Sequence, residues 1–218
     1  MKLRGVIWDI DGTLVNTNDA HARAWQSALA EFHLYVSFES VRSAIGMGGD
    51  KLLPAIASIE ADSTLGRAIS ARRGEIFTGE LPKLRAFPQV RQLLSRLADG
   101  GVKHAVASSA QPTELDALLQ LADIKDLLVE VSSAAEGRSK PDPDIVHAAL
   151  EALGFAKNEV VMVGDTPYDI EAAQRAGIAA IALRCGGRSD HDLAGAIAIY
   201  DSPRALLEGL DDSPLKSH

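Results

Sequence analysis

Six short apolar runs constrain the fold of this chain more than any other feature. They cover residues 3–8, 102–107, 127–131, 160–163, 178–183 and 197–200. Several are apolar throughout, as parallel strands covered on both faces must be, where a strand with one wet face would alternate. Between them the apolar spacing changes to that of a helix. Val90, Leu93, Leu94 and Leu97 fall at i, i+3, i+4 and i+7, as do Leu115, Leu118, Leu119 and Ala122, while Ile145, Ala148, Ala149 and Ala152 repeat the helical stripe. Strands alternating with helices predict an α/β fold with a doubly wound parallel sheet of Rossmann-like type.

The alternation breaks once. Residues 17–85 show helical patterns and no convincing strand, which predicts an all-helical subdomain inserted into the α/β core. Trp25, Leu29 and Phe32 mark the apolar stripe of its first helix, and the glycine-rich turn at 46–49 and the segment 79–82 help divide it into four helices. The core then comprises residues 1–16 and 86–218, with linkers near 15–17 and 85–88. Residues 211–218, polar and containing Pro214, read as a frayed tail.

Composition excludes several classes of function. Lys plus Arg number 22 against 30 Asp plus Glu, a net charge of −8 that repels nucleic acid. Cys185 is the single cysteine, so no internal disulfide forms. The apolar runs fall well short of the roughly 20 residues a membrane span needs. Asp9 interrupts the apolar stretch near the N-terminus, so no signal peptide is expected and the cytoplasm is the expected compartment.

In an open parallel sheet, ligands bind beyond the carboxyl ends of the strands. Here those ends carry Asp9-Ile10-Asp11-Gly12-Thr13, Ser108-Ser109, Lys140-Pro141 and Gly164-Asp165-Thr166-Pro167-Tyr168-Asp169. Four carboxylates gathered at one mouth repel one another unless a cation neutralises them. A hard ion such as magnesium suits Asp9, Asp165 and a turn carbonyl, whereas the six histidines form no ligand-spaced pair for zinc. Metal, ammonium and hydroxyl together suit a phosphoryl group. Asp9 and Asp11, two apart on extended backbone, point the same way. One can attack phosphorus while the other protonates the leaving oxygen and later takes a proton from water.

These four segments, in this order and each after a strand, resemble the four motifs of the haloacid dehalogenase-like hydrolase superfamily, and the resemblance covers nearly the whole chain. The insert after the first motif, closed by Leu84-Arg85-Ala86-Phe87-Pro88, is similar to the helical cap of the phosphoglycolate phosphatase and β-phosphoglucomutase branch. The resemblance implies Asp9 as nucleophile, Asp11 as general acid and base, and Ser108, Ser109 and Lys140 as phosphate binders. It also implies magnesium held by Asp9, Asp165 and the Asp11 carbonyl, with Asp169 in support.

The resemblance further implies a phosphohydrolase of a small phosphorylated metabolite, monomeric or weakly dimeric. A phosphosugar mutase is the alternative. His21 sits where mutases of this branch carry a functional histidine, preceded by Thr17 and Asn18, yet a lone histidine near a helix start is commonly an exposed polar residue. Gly49 stands where the mutases place an arginine, and Thr13 resembles the phosphatases. A dehalogenase would usually lack the carboxylate kept here as Asp11. A non-catalytic phosphate-sensing module is the reading from another class. Arg72 and Arg73 could meet a substrate anion, but a solvated helix face is the expected place for them, and Cys185 is expected to be inert.

Overall fold

The computed structural model describes residues 3–132 and 137–216. In chain order the elements are β1 (Gly5–Trp8), α1 (Asn18–Glu31), α2 (Phe38–Ala44), α3 (Gly49–Ala57), α4 (Thr64–Glu80), α5 (Val90–Asp99), β2 (Lys103–Ala107), α6 (Pro112–Ala122) and β3 (Leu128–Ser132). There follow α7 (Asp144–Leu153), β4 (Val160–Gly164), α8 (Pro167–Ala176), β5 (Ala179–Leu183), β6 (Ala198–Tyr200) and α9 (Pro203–Glu208).

The six strands form one parallel sheet in the order β3-β2-β1-β4-β5-β6. Successive residues of β1 feed two different cores, as the strand period of two requires. Val6 and Trp8 pack with Val106, Val161, Val163 and Ile181 under α5, α6 and α9. Ile7 packs with Ala105, Met162 and Ala180 under α7 and α8. Both faces are covered, which is why these strands read as continuous apolar runs.

The strand order reverses between β1 and β4, where Trp8 is level with Val163. At such a switch point the loops that leave neighbouring strands diverge and open a crevice. The Asp9 N–H donates to the Val163 carbonyl at 2.9 Å, so the first and last sequence motifs meet side by side.

Helices α1 to α4 occupy residues 18–80 and close over that crevice around a separate apolar cluster that includes Trp25, Leu29, Val41, Leu52, Leu53 and Ile69. The two crossings between helices and core run together: Val15 bridges Ala86 in antiparallel fashion, and the Asn16 N–H donates to the Arg85 carbonyl at 3.1 Å. No helix among the described residues is long and apolar enough to cross a membrane.

Two expectations are corrected. Strand bounds move by one to two residues: β1 starts at Gly5 and β3 covers 128–132. Ile197, 56% exposed, precedes β6. The tail is docked as far as it is described: residues 210–212 form a short 3₁₀ turn, and Leu210 and Leu215 insert into the apolar layer below α5 and α9. The Ser213 N–H donates to the Leu210 carbonyl and the Lys216 N–H to the Ser213 carbonyl, each at 3.1 Å, and burial of two leucines outweighs the polar composition that suggested fraying. Residues 217 and 218 lie outside the described residues.

Candidate active site

The turn after β1 folds back on the carboxylates that flank it. Gly12 has φ +82°, and a Cβ there would collide with Asn18 and the Asp165 carboxylate, so conformation and space both demand glycine. The Thr13 hydroxyl reaches both neighbouring strands, 2.8 Å from Asp9 Oδ2 and 3.0 Å from Asp165 Oδ1. Asn18 Nδ2, from the first turn of α1, donates to Asp165 Oδ2 at 2.8 Å. A Cβ at Gly186, in the loop after β5, would run into the same carboxylate.

Lys140 is the one ammonium in this cluster among the described residues. Its side chain is 2% exposed and it pairs with Asp9 Oδ1 and, at 2.6 Å, with Asp169 Oδ1. Asp169 is aimed by the start of α8: its Oδ2 accepts from the Thr166 N–H at 3.0 Å and the Thr166 hydroxyl at 2.6 Å in a capping box. The lysine therefore spans the first and last motifs.

Charge in this pocket is poorly balanced. Burial pushes the Asp9 carboxyl up to about 7; the Lys140 ammonium pulls it back, and Asp169 and Asp11 push further up. Burial also drives Asp165 well above the carboxylate range, with the charges of Asp9 and Asp169 adding to it. Burial works against the Lys140 ammonium too, but Asp169 and Asp9 outweigh it and hold the group firmly charged. Among the described residues Asp165 has no cationic partner; it accepts only from neutral Thr13 and Asn18.

Oxygen atoms of Asp9, Asp165 and Asp169 lie within 4.8 Å of one another, all buried. A carboxylate-only donor set with an uncompensated member fits a hard divalent cation and not zinc. The Asp11 carboxylate stands outside this group, which leaves its backbone carbonyl as the donor it could offer. Its Oδ1 accepts from the Thr17 hydroxyl at 2.7 Å and contacts His21 Nε2 at 2.8 Å. Burial would raise the Asp11 carboxyl, but His21 and Thr17 outweigh it and hold it below its usual value.

The remaining expected residues surround the same place. Ser108 is buried after β2, where its Oγ accepts from the Ala110 N–H at 3.1 Å. Ser109 lines a cavity of about 50 Å³ together with Asp9, Asp11, His21, Gly49 and Lys140. Gly49 opens α3, and a Cβ there would come within 3.1 Å of the Trp25 ring. His21 is buried and stacks on Phe77, with ring centroids 3.9 Å apart at 8°, so it is not an exposed polar residue.

The family model of the haloacid dehalogenase-like hydrolases matches residues 6–183. The chain belongs to that family. This haloacid dehalogenase-like hydrolase is 30% identical over 218 residues to a phosphoglycolate phosphatase of Rhodospirillum rubrum, a match that covers 95% of this chain and 90% of the relative. It is 32% identical over 189 residues to the chloroplastic protein SUPPRESSOR OF QUENCHING 1 of Arabidopsis thaliana; that match covers 84% of this chain and spans 18% of the longer relative. A crystal structure of a hydrolase from Pseudomonas syringae shares the fold at a TM-score of 0.89 and 26% identity, covering 96% of this chain and 98% of that one.

Several wall residues of this hydrolase escaped sequence reasoning. Arg72 does face solvent, where it pairs with Glu31 and Glu75. Arg73 does not: one residue on is about 100° around a helix, and that turn carries it inward to Glu114 Oε2 at 2.6 Å. Glu114 reads in sequence as an ordinary acid in the first turn of α6, and Asn18 as a helix-start residue; the signal for either role is their place near a strand end. Cys185 packs its Sγ 3.3 Å from the Gly12 carbonyl, and burial pushes its thiol up to about 12, as an inert residue requires.

Proposed function

We propose that this hydrolase cleaves phosphate monoesters of small metabolites with the help of magnesium, through an aspartyl-phosphate on Asp9, with residues 17–85 acting as a cap. The observation that carries this reading is the buried group of Asp9, Asp165 and Asp169 with Lys140, in which Asp165 has no cationic partner among the described residues. Magnesium held by Asp9, Asp165 and the Asp11 carbonyl would balance phosphoryl charge and keep these acids ionised.

The protein's own groups supply the rest. A carboxylate oxygen of Asp9 attacks phosphorus as the bond to the leaving oxygen breaks. Asp11, in 2.8 Å contact with His21 Nε2, enters the step protonated and gives that oxygen its proton. Asp11, then a carboxylate, takes a proton from water; the water oxygen bonds to phosphorus and Asp9 leaves as carboxylate. Lys140 and Ser109 border the cavity that receives the phosphoryl oxygens, and Ser108 shapes the loop that presents Ser109. Helices over the crevice exclude bulk water.

The test is a panel of phosphate esters assayed with magnesium and with a chelator. Magnesium-dependent release of phosphate is expected, and absence of turnover across the panel would overturn the reading. The His21 contact with Asp11 also favours a phosphosugar mutase, which returns the phosphoryl group to substrate. The missing side chain at Gly49 counts against it. Parallel assays of phosphate release and of isomerised sugar phosphate separate the two.

A further inference from the structure

The peptide unit that leads into Lys140 is held at both ends. Its carbonyl, on Ser139, accepts from the Lys51 ammonium, which comes from the first turn of α3 in the cap. Its N–H, on Lys140, donates to Ser109 Oγ at 3.4 Å. Because a peptide unit is planar, fixing both ends sets the plane from which the Lys140 side chain departs. Ser139 and Lys140 are both buried, and Lys140 runs on to Asp9 and Asp169.

Cap residues also grip the flanks of that peptide. Lys51 Nζ lies 2.9 Å from Asp142 Oδ2, and the Ser139 hydroxyl donates to Asp50 Oδ1. The Asp142 N–H donates to the Ser139 carbonyl at 3.0 Å and closes the turn that the ammonium holds. The glycine-rich turn 46–49 permits this approach: a Cβ at Gly48 would collide with the Ser139 side chain, so only glycine lets the start of α3 come down on it. A cation in the first turn of a helix opposes the helix dipole, so Lys51 brings α3 itself no gain and its favourable contacts lie across the interface. A second cap–core contact avoids this peptide. Arg188, in the loop after β5, donates through Nη2 to the Ser43 and Ile45 carbonyls at 2.7 and 3.0 Å, which seats the end of α2.

Resting on the phosphatase reading of the same site, we infer that Lys51 is a positioning residue: through the Ser139 carbonyl it sets Lys140 and Ser109 for the phosphoryl group, so that the phosphate site is complete only while α3 is docked. The ammonium polarises the peptide between residues 139 and 140, which strengthens its N–H as a donor to Ser109 Oγ. With α3 lifted, the Ser139 carbonyl retains the Asp142 N–H, and the hold of Asp50 and Lys51 on either side of Lys140 is lost. The glycine-rich turn is thereby the part of the cap that reports docking to the phosphate binders.

The test measures KM for an aryl phosphate and the inhibition constant of inorganic phosphate, with magnesium, in the wild type, Lys51→Met, Lys51→Arg and Arg188→Met. Neither constant depends on the fraction of enzyme that is folded. In Lys51→Met both should rise about tenfold, the worth of one hydrogen bond to a charged group. Lys51→Arg should stay within about threefold of the wild type, because a guanidinium donates to the same carbonyl and carboxylate. Arg188→Met should also stay within about threefold, since it loosens the cap without reaching Lys140. Gly48→Ala, which keeps Lys51 but drives a methyl against Ser139, should raise both constants as Lys51→Met does. Constants that Lys51→Met and Gly48→Ala leave in place, an equal rise in Arg188→Met, or no rescue by Lys51→Arg overturns the inference while aryl phosphate turnover keeps the phosphatase reading. If no ester is hydrolysed with magnesium, the phosphatase reading falls and this inference with it.

Discussion

His104 makes the stability of this fold depend on pH in a way that can be worked out beforehand. It lies on β2 and is wholly buried, with Nδ1 accepting from Trp8 Nε1 at 3.1 Å and Nε2 donating to the Leu94 carbonyl at 2.9 Å. Both ring nitrogens are thereby committed to the neutral form, because a proton on Nδ1 would face the indole N–H. Burial pushes the imidazole from 6.5 down to about 4, against a small upward pull from the Leu94 carbonyl. The unfolded chain binds this proton below about 6.5 and the folded chain only below about 4, so stability falls as pH drops through that window. The contribution is complete above 6.5. At about 1.4 kcal/mol per pH unit, the loss by pH 4.5 is about 2–3 kcal/mol.

His104→Gln offers an N–H and a carbonyl to the same two partners but does not titrate. It should cost about 1–2 kcal/mol at pH 7 through imperfect geometry. The stability difference between wild type and variant should then shift by about 2–3 kcal/mol in the variant's favour between pH 7 and pH 4.5. Urea unfolding followed by tryptophan fluorescence at both pH values measures it. Titration of the surface carboxylates is common to both proteins and cancels. A difference that stays constant with pH would refute the assignment of a buried neutral imidazole.

Other consequences follow from single contacts. Leu215→Ala should cost about 2–4 kcal/mol in urea unfolding, since Leu215 is fully buried in the apolar layer; a change under about 0.5 kcal/mol would restore the frayed-tail reading. Gly12→Ala, at φ +82° and against Asn18 and Asp165, should destabilise by about 1–3 kcal/mol and abolish ester hydrolysis; wild-type turnover would show that the turn tolerates a side chain. Asp165→Asn removes the buried acid without a cation, so it should raise the melting temperature of the metal-free protein and eliminate any rise on adding magnesium. A magnesium-induced rise equal to that of wild type would exclude Asp165 as a ligand.

The sheet and its site were legible in the sequence to different depths. Strands 160–164 and 179–183 were readable because both faces are buried and composition alone records that. Asp9, Lys140, Asp165 and Asp169 were readable because each follows a strand, and parallel strands deliver such residues to one edge. Arg73 and Glu114 were not: 41 residues separate them, and their meeting depends on how the helical insert settles on the core. Helical spacing tells which face of α4 is apolar but not what it lies against. Leu215 was hidden for a related reason, since a single leucine among polar residues carries no period.

Whether Asp9 receives the phosphoryl group is decided by Asp9→Asn. The amide keeps the shape of the side chain while removing the nucleophile, so secondary structure by circular dichroism should be unchanged and magnesium-dependent kcat/KM for an aryl phosphate should fall by at least about a thousandfold. A folded Asp9→Asn protein that retains more than about a tenth of wild-type kcat/KM would contradict it.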